Sequence, residues 1–527
     1  MIIFLAAYYL LTSISLYFLF PKANRPAQKA LIPGVNILEG CDIVGRPRWW
    51  AALMLIPVVN IFIYAGLAID IIRSFGKEGY WHWVAVVVAA PAYFFWLSRQ
   101  ADAKYLGPVL QQEKEYYDKI KAAEAAGKKS TASKLRERSP YKKSGGREWA
   151  ESIVFAVFAA AFLRMFLVEA FIIPTPSMEG SLKQGDFLFV NKMAYGVRMP
   201  NTPLMIPLLH NRIPKLNRES YLSKPQLKYT RTAAMESIDV NDPIVFNWPI
   251  GDSVYLSPAR SFAAEQVRRE PGLKSQLKGA KLITRPVDKK DHYIKRCLGV
   301  AGDSLEIRNR TVYINGAAIE NSEFAQWGYT FDAPGIMDER EIKKFRDIEV
   351  YSYDLNPFQR NKDNSIKYQV NLSDDEVELW NEKYPKYSLS RFQSDSEVWP
   401  YHSRSKEWNI DNFGPIYIPK AGESVELNDY TAALYGRCIN VYENNDFDRK
   451  GDKFFVNGEE VTSYTFEMDY YWGMGDNRHA SEDSRFWGFV PEDHIVGKPL
   501  VIWMSLHEAK MSEGINWKRV FKSGNVF

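Results

Sequence analysis

The 527-residue sequence is poor in cysteine: it has three, Cys41, Cys297 and Cys438, and no C-x-x-C pair. That excludes a disulfide framework and the common cysteine metal sites, and allows at most one bridge, which spacing does not assign. An excess of one charge is also missing. Lys and Arg number 67 against 63 Asp and Glu, and a net charge of +4 is too small to argue for nucleic acid. No zinc-finger, RNA-binding or phosphate-loop motif occurs, so no metal, cofactor or nucleic-acid partner is expected. Disorder is excluded by an ordinary balance of 25% charged and 46% hydrophobic residues. Aromatics are plentiful at 14%, as membrane-interface belts and aromatic β surfaces both require.

Long uncharged runs are present in the first third of the chain. Met1 to Phe20 carries no charge and is long enough to span a bilayer. It lacks the basic start and small-residue cleavage site of a secretory leader, so a retained anchor is expected. Trp50 to Ile69 and Trp81 to Leu97 are further expected spans, and the weakly apolar Leu31 to Gly45 is expected in the interface or as a re-entrant segment. The last expected span, Ile153 to Ile173, is interrupted by Arg164 and Glu169, whose spacing suits mutual pairing. Basic residues crowd the loops 21–49 and 98–150, whereas 73–79 has only Arg73 and Lys77. The positive-inside rule then puts the two basic loops in the cytoplasm and everything after 173 outside. The 98–150 run itself reads as a solvated helix and linker.

From Asp186 onward the period changes to that of strands. "DFLFVNKMAYG" (186–196) and "DPIVFNWP" (242–249) read as strands, and "DSLEIRNRTVYINGAAI" (303–319) and "KFFVNGEEV" (453–461) as hairpins turning at Asn315-Gly316 and Asn457-Gly458. Residues 320–440 are polar, aromatic and irregular, as expected of a large insertion into a β core.

Three stretches carry chemistry. "IIPTPSMEGSLKQGD" (172–186) holds Ser177, "DHYIKRCLGVAGD" (291–303) holds Lys295, and "GMGDNRHASEDSRFWGFVPEDHIVGKP" (473–499) holds Asp476, Asn477, Ser481, Asp483, Ser484 and Arg485. Singly, each has a plain structural reading: a turn serine, a solvated strand lysine, an Asp–Arg pair bracing a loop. Together, in this order and after a membrane segment, they resemble the type I signal peptidases, the bacterial leader peptidases that work by a Ser/Lys dyad. That family carries a serine in a "PSM" element after its last span, a lysine in a "YIKR" strand, and a "GDNR…DSR-x-WGFVP" loop near its C-terminus. One position departs: Gly180 stands where the family often has proline.

The resemblance implies a mainly β, signal-peptidase-like catalytic core with a large insertion, preceded by several N-terminal transmembrane helices. The corresponding division is 1–97 membrane segments, 98–149 basic cytoplasmic linker, 150–173 last transmembrane helix, 174–319 and 441–527 the two parts of the catalytic domain, and 320–440 the insertion. It implies a multi-pass protein of the bacterial inner (plasma) membrane with its catalytic domain on the periplasmic side. Its partners would be secretory preproteins, the lipid bilayer and the secretion translocon, with cleavage after Ala-x-Ala-like sites.

A serine hydroxyl is a poor nucleophile until a base takes its proton. Of seven histidines, His292 lies three residues from Lys295 and so on the other face of its strand, while His479 lies in the third motif. Two assignments follow: a Ser177–Lys295 dyad, or a Ser177–His479–Asp483 triad. For the dyad, Lys295 must be buried enough to be neutral, with Tyr293 on its face of the strand, Ser481 orienting its amine, and Asp483 and Arg485 bracing the loop. Pro176 has no N–H, so an oxyanion hole must use the Ser177 N–H, with the Thr175 hydroxyl as second donor by the resemblance. Met178 and Tyr293 are the expected substrate contacts. Two other readings stand beside these: a non-catalytic β domain that binds a partner through its insertion, and a self-cleaving Ser–Lys hydrolase.

Overall fold

The computed structural model describes all residues except 1, 55–58, 142–144, 214–217, 257–260, 349, 351–353, 395 and 525–527. The chain divides into two compact units, Met1–Phe162 and Leu163–Phe527. The first is helical, which makes the whole chain richer in helix than in strand; the mainly β expectation holds for the second unit alone.

In the first unit an uncharged helix runs Ile2–Leu19, and others run Val35–Val44, Val59–Arg73 and Tyr80–Arg99. Phe20, Cys41, Val44, Ile72, Phe94 and Leu97 are among its fully buried residues. Among the described residues, one helix, Tyr80–Arg99, is long and apolar enough to cross a membrane. It leaves helical geometry at Ala89, two residues before Pro91, which has no N–H to continue the ladder. The expected span Trp50–Ile69 is not one helix: a turn at Trp50–Leu53 precedes the helix Val59–Arg73, and 55–58 lie outside the described residues. Leu31–Gly45 contains a ten-residue helix with Asn36 and Glu39 buried. The basic stretch folds into helices Val109–Ala125 and Lys129–Glu137.

The expected last transmembrane helix, 150–173, is corrected at its C-terminal end. The helix Gly145–Phe166 stops at Phe166, and Val168–Ile172 is already strand β1 of the main sheet. The β-branched and aromatic run there finds a pairing edge, so strand wins over helix. Arg164 still reaches Glu169 at 2.8 Å, and Lys192 closes on the same carboxylate at 2.6 Å.

The second unit is organised by a seven-stranded sheet, all of whose neighbours are antiparallel. Its strands are β1 (Val168–Ile172), β2 (Asp186–Asn191), β3 (Pro243–Asn247), β4 (His292–Gly299), β5 (Tyr470–Met474), β6 (Val490–Pro491) and β7 (Ile495–Ser505), in the spatial order β1-β2-β7-β3-β4-β5-β6. Alternation sorts the side chains. In β3, Val245 joins Ile173, Met178, Leu188 and Ile502 on one face, while Ile244 and Phe246 join Trp248, Cys297 and Trp487 on the other. Both sides of the centre are therefore dry, which prepares the burial of a lysine in β4. The expected hairpins form, with Asn315 and Gly316 at φ 52° and 81°, and Asn457 and Gly458 at 53° and 85°.

The stretch 320–440 does not form one block. Strands at 327–333, 356–360, 366–372 and 390–391 make a sheet of their own around Phe331, Phe345 and Trp380. From Phe413 the chain is back in the main core: 413–417 pairs with 304–308, and Leu434, Tyr435 and Cys438 pack in the cluster holding Trp472 and Phe489. Cys41, Cys297 and Cys438 are all free and buried, so the one bridge the sequence allowed is not formed.

Candidate active site

Ser177 sits in a single 3-10 turn, Pro176–Met178, between β1 and β2. Its position is set from across the chain. The Asn477 N–H donates to the Ser177 carbonyl at 3.2 Å, and the Asn477 side chain donates to the Pro176 carbonyl at 3.2 Å. Met178 is 1% exposed and anchors the turn in the apolar cluster below.

Lys295 lies on β4, with Ile244 of β3 opposite it and β5 on its other side. Its side chain is 2% exposed, and Nζ donates to Ser177 Oγ at 2.7 Å and to the Ile294 carbonyl at 3.0 Å. Burial is the main cause that brings its value down to about 8; Arg485 acts in the same direction, and Asp483, Glu482 and Asp476 oppose it. Tyr293, two residues back on the same strand, has its ring 5.6 Å from Nζ and stacks on Trp248 at 5.3 Å.

The third motif wraps this pair. Asp483 and Arg485 are both fully buried and form two hydrogen bonds between their side chains, Nε to Oδ1 at 2.9 Å and Nη2 to Oδ2 at 2.8 Å. Burial works to raise the Asp483 value, but Arg485 overrides it and holds the carboxyl below its usual range. Arg485 also donates to the carbonyls of Ile410 and Arg478, which links the pair to two further backbone segments. The expected bond from Ser481 to the amine is not made. The Lys295 amine uses the Ile294 carbonyl instead, and the buried Ser481 hydroxyl packs against Gly475. A Cβ at 475 would fall 2.3 Å from both Ser481 Oγ and Ser177 O, so two segments close on a residue that has no side chain.

The triad with His479 does not assemble. Nδ1 of His479 accepts from the Gly328 N–H at 2.9 Å, which puts the ring proton on Nε2, 3.3 Å from Asp411 Oδ2. Asp483 is committed to Arg485 and to the Gly475 N–H. His292 borders the cleft from the opposite face of its strand, against Phe171 at 4.8 Å. Lys192 is held by Glu169.

A cleft of about 560 Å³ runs beside the pair. Ser177, Lys295, Thr175 and Glu482 are among its polar lining residues; Phe171, Ile173, Met178, Leu188, Val245 and Tyr293 are among its apolar ones. Thr175 is exposed at its rim, two residues from Ser177.

One buried set joins Asp476, named in the third motif, to two residues not singled out from sequence, Arg296 and Ser181. Arg296, the residue after Lys295, makes two bonds of 2.7 Å to Asp476, and Asp476 also accepts from Ser181 Oγ at 2.6 Å. This junction ties all three motifs together. The available signal was an Arg and an Asp inside two motifs that already held the candidate residues.

A family profile described as signal peptidase, peptidase S26, matches residues 146–366 and 418–504, more than half of the chain. A second profile, for a family of unknown function, matches 28–108. The chain is 26% identical over 377 residues to signal peptidase I of Haemophilus influenzae, covering 71% of this chain and 74% of that protein. It is 22% identical over 384 residues to signal peptidase I of Pseudomonas aeruginosa, covering 71% and 78%. With signal peptidase I of Helicobacter pylori the identity is 22% over 388 residues, covering 71% and 90%.

Proposed function

This chain belongs to the signal peptidase family, peptidase S26, and is a serine peptidase; on that premise we propose that it removes signal peptides from secretory preproteins with a Ser177–Lys295 dyad. The observation that carries this reading is the 2.7 Å contact between Nζ and Oγ, made by a lysine whose buried site favours the neutral amine.

Neutral Lys295 takes the proton of Ser177, and Oγ attacks the scissile carbonyl carbon. The oxyanion is received by the Ser177 N–H and the Thr175 hydroxyl. Lys295 then returns its proton to the leaving amine and the peptide bond breaks. The acyl-enzyme is hydrolysed by a water that gives its proton to the Lys295 amine, which passes it to Ser177 Oγ as the acyl bond breaks and the acid product leaves. Met178 and Tyr293 contact the substrate, Ser481 closes the site beside Gly475, and Asp483 and Arg485 hold the loop.

Among the described residues the outer edge of β1 has no partner strand in the sheet, and an extended peptide can pair there. The apolar floor formed by Ile173, Met178 and Val245 suits small side chains, which supports cleavage after Ala-x-Ala-like sites. Attachment to the membrane by several N-terminal helices, with the catalytic unit outside, rests on the uncharged helix Ile2–Leu19, the helix Tyr80–Arg99 and the basic loops. Exposed Leu500, Trp517 and Phe521 support a side of the catalytic unit that meets the bilayer.

The test is purified full-length protein in detergent with a labelled preprotein. One cut at the signal-peptide boundary is expected; no cut, or cuts scattered through the mature region, would reject the reading.

A further inference from the structure

The insertion is not a remote appendage of the catalytic unit. Its leading residues, 324–328, run directly along the loop that carries the third motif. Gln326 forms a bridge beside Asn477: its N–H donates to the Asp476 carbonyl at 2.8 Å, and its own carbonyl accepts from the Arg478 N–H at 2.9 Å. Two residues on, the Gly328 N–H donates to His479 Nδ1. Two residues back, Phe324 crosses the serine turn. Gly180 has φ 94°, and a Cβ there would lie 2.2 Å from the Phe324 carbonyl oxygen. Proline, fixed near −65°, cannot take that φ, and no side chain fits the space. The one departure from the family pattern noted in the serine motif thus lies where the insertion passes over it.

His479 is the point at which this strap meets a second segment. Its side chain is fully buried between Trp327 and Phe392, with ring centroids 6.0 Å away on each side. Nε2 faces Asp411, which also pairs with Arg310 at 3.4 Å. Asp411 falls in the interval 367–417 that the family profile leaves unmatched. The neighbouring Ile410 carbonyl accepts from Arg485 at 3.0 Å, and the Trp399 N–H donates to the Arg485 carbonyl at 2.8 Å. The loop holding Asn477, Ser481 and Asp483 is therefore gripped on one side by 324–328 and on the other by 399–411. His479 bonds to both.

We propose that His479 is a positioning residue, locking the insertion's strap and the 399–411 segment to the catalytic loop so that Asn477 holds the Ser177 backbone within reach of Lys295. The proposal rests on the dyad reading. The ring acts as a neutral bridge that accepts at Nδ1 and donates at Nε2, and it neither touches substrate nor moves a proton. Burial lowers its value, against the pull of Asp411, which keeps that bridge neutral. Small displacements of such a support weaken catalysis far more than binding, because the reacting atoms need near-attack geometry.

The experiment compares wild type, Ser177→Ala, His479→Ala and His479→Asn as full-length protein in detergent. It measures kcat and KM on a preprotein, the acidic limb of the rate, and the thermal midpoint. Lys295 is faced by Asp483, Glu482, Asp476 and Arg485 and by the Tyr293 ring. A loosened loop admits water to it and returns its value toward that of free lysine. For His479→Ala we expect kcat to fall about tenfold or more with KM changed less than about twofold, and the acidic limb to move to higher pH. His479→Asn, whose carboxamide oxygen can accept from Gly328, should recover most of kcat and the wild-type limb. The inference is overturned if His479→Ala matches wild type in kcat and limb. It is also overturned if Ala and Asn lose activity equally, in step with their thermal midpoints and with the limb unmoved, which marks a purely structural side chain. If Ser177→Ala still cleaves, the dyad reading falls and the inference falls with it; if Ser177→Ala is inert while His479→Ala is normal, the inference alone fails.

Discussion

Lys295 Nζ stands 2.7 Å from Ser177 Oγ across 118 residues of chain, and its other acceptor is the carbonyl of Ile294, its own neighbour on β4. A lysine with a carboxylate at that distance would be an ion pair and would keep its proton. Here the nearest acceptors are a hydroxyl and an amide carbonyl, and the acidic residues of the loop are bound elsewhere: Asp483 to Arg485, Asp476 to Arg296. Their charges, with that of Glu482, still pull the lysine value upward, but burial outweighs them and brings it down to about 8.

Ser177→Ala and Lys295→Ala should each abolish preprotein cleavage, and the double variant should be little worse than either single one. Residues that act as one unit are strongly non-additive. Turnover by either single variant near the wild-type rate, in a gel-based cleavage assay, would remove that residue from the chemistry.

Gly475→Ala tests the closeness of the two segments. The added Cβ meets Ser177 O and Ser481 Oγ at 2.3 Å, and both must retreat. A displacement near 1 Å at reacting atoms costs about a hundredfold in rate, so kcat should fall by about that factor. The far-ultraviolet spectrum should be unchanged, because the strands do not depend on this contact. An Ala variant with wild-type kcat would mean that Ser177 and Ser481 tolerate the shift.

Thr175→Val keeps the shape and removes the hydroxyl. Loss of one oxyanion donor costs about 3 kcal/mol of barrier, or roughly a hundredfold in kcat, with KM little changed. Thr175→Ser should be mild. An unimpaired Val variant would move the second donor to another group.

Lys295→Met should be inactive yet more stable. Lysine at this site has a folded-state value of about 8 against an ordinary 10.5. A base with a depressed value destabilises the fold where it is protonated in both states, that is, below about 8. At about 1.4 kcal/mol per pH unit the cost is about 3 kcal/mol at pH 7, and it disappears as pH rises toward the ordinary value. Thermal unfolding at pH 7 should put the Met variant above wild type, and the gap should narrow at about pH 10. Equal midpoints at pH 7 would mean that Lys295 is solvated in the fold.

The meeting of Ser177 and Lys295 was legible because its signals are local. Each of the three stretches puts a reactive residue in a short motif of fixed spacing, and Asn-Gly at 315–316 and 457–458 specifies tight turns through backbone geometry alone. The end of the helix Gly145–Phe166 was not legible. Residues 168–173 are as apolar as the helix before them, and their strand pairing depends on 186–191, which no local period announces. The grip on His479 was hidden for a similar reason. Asp411 lies in an irregular segment 68 residues away and Gly328 near the start of the strand 327–333, 151 residues away, and contacts of that kind leave no pattern in sequence. Ser481 was assigned to the amine from its motif, but a hydroxyl's direction depends on packing, here against Gly475.

The most direct test of the dyad is the pH dependence of single-turnover cleavage by the wild-type protein. The base works only when neutral, so the rate should be low at pH 6 and climb through an acidic limb near 8, the value that burial gives Lys295. Single-turnover conditions keep slow product release from masking the limb. A limb near 8 is the predicted result. A limb near about 6.5, with full activity already reached at pH 7, would belong to a histidine and would contradict the assignment of Lys295 as the base.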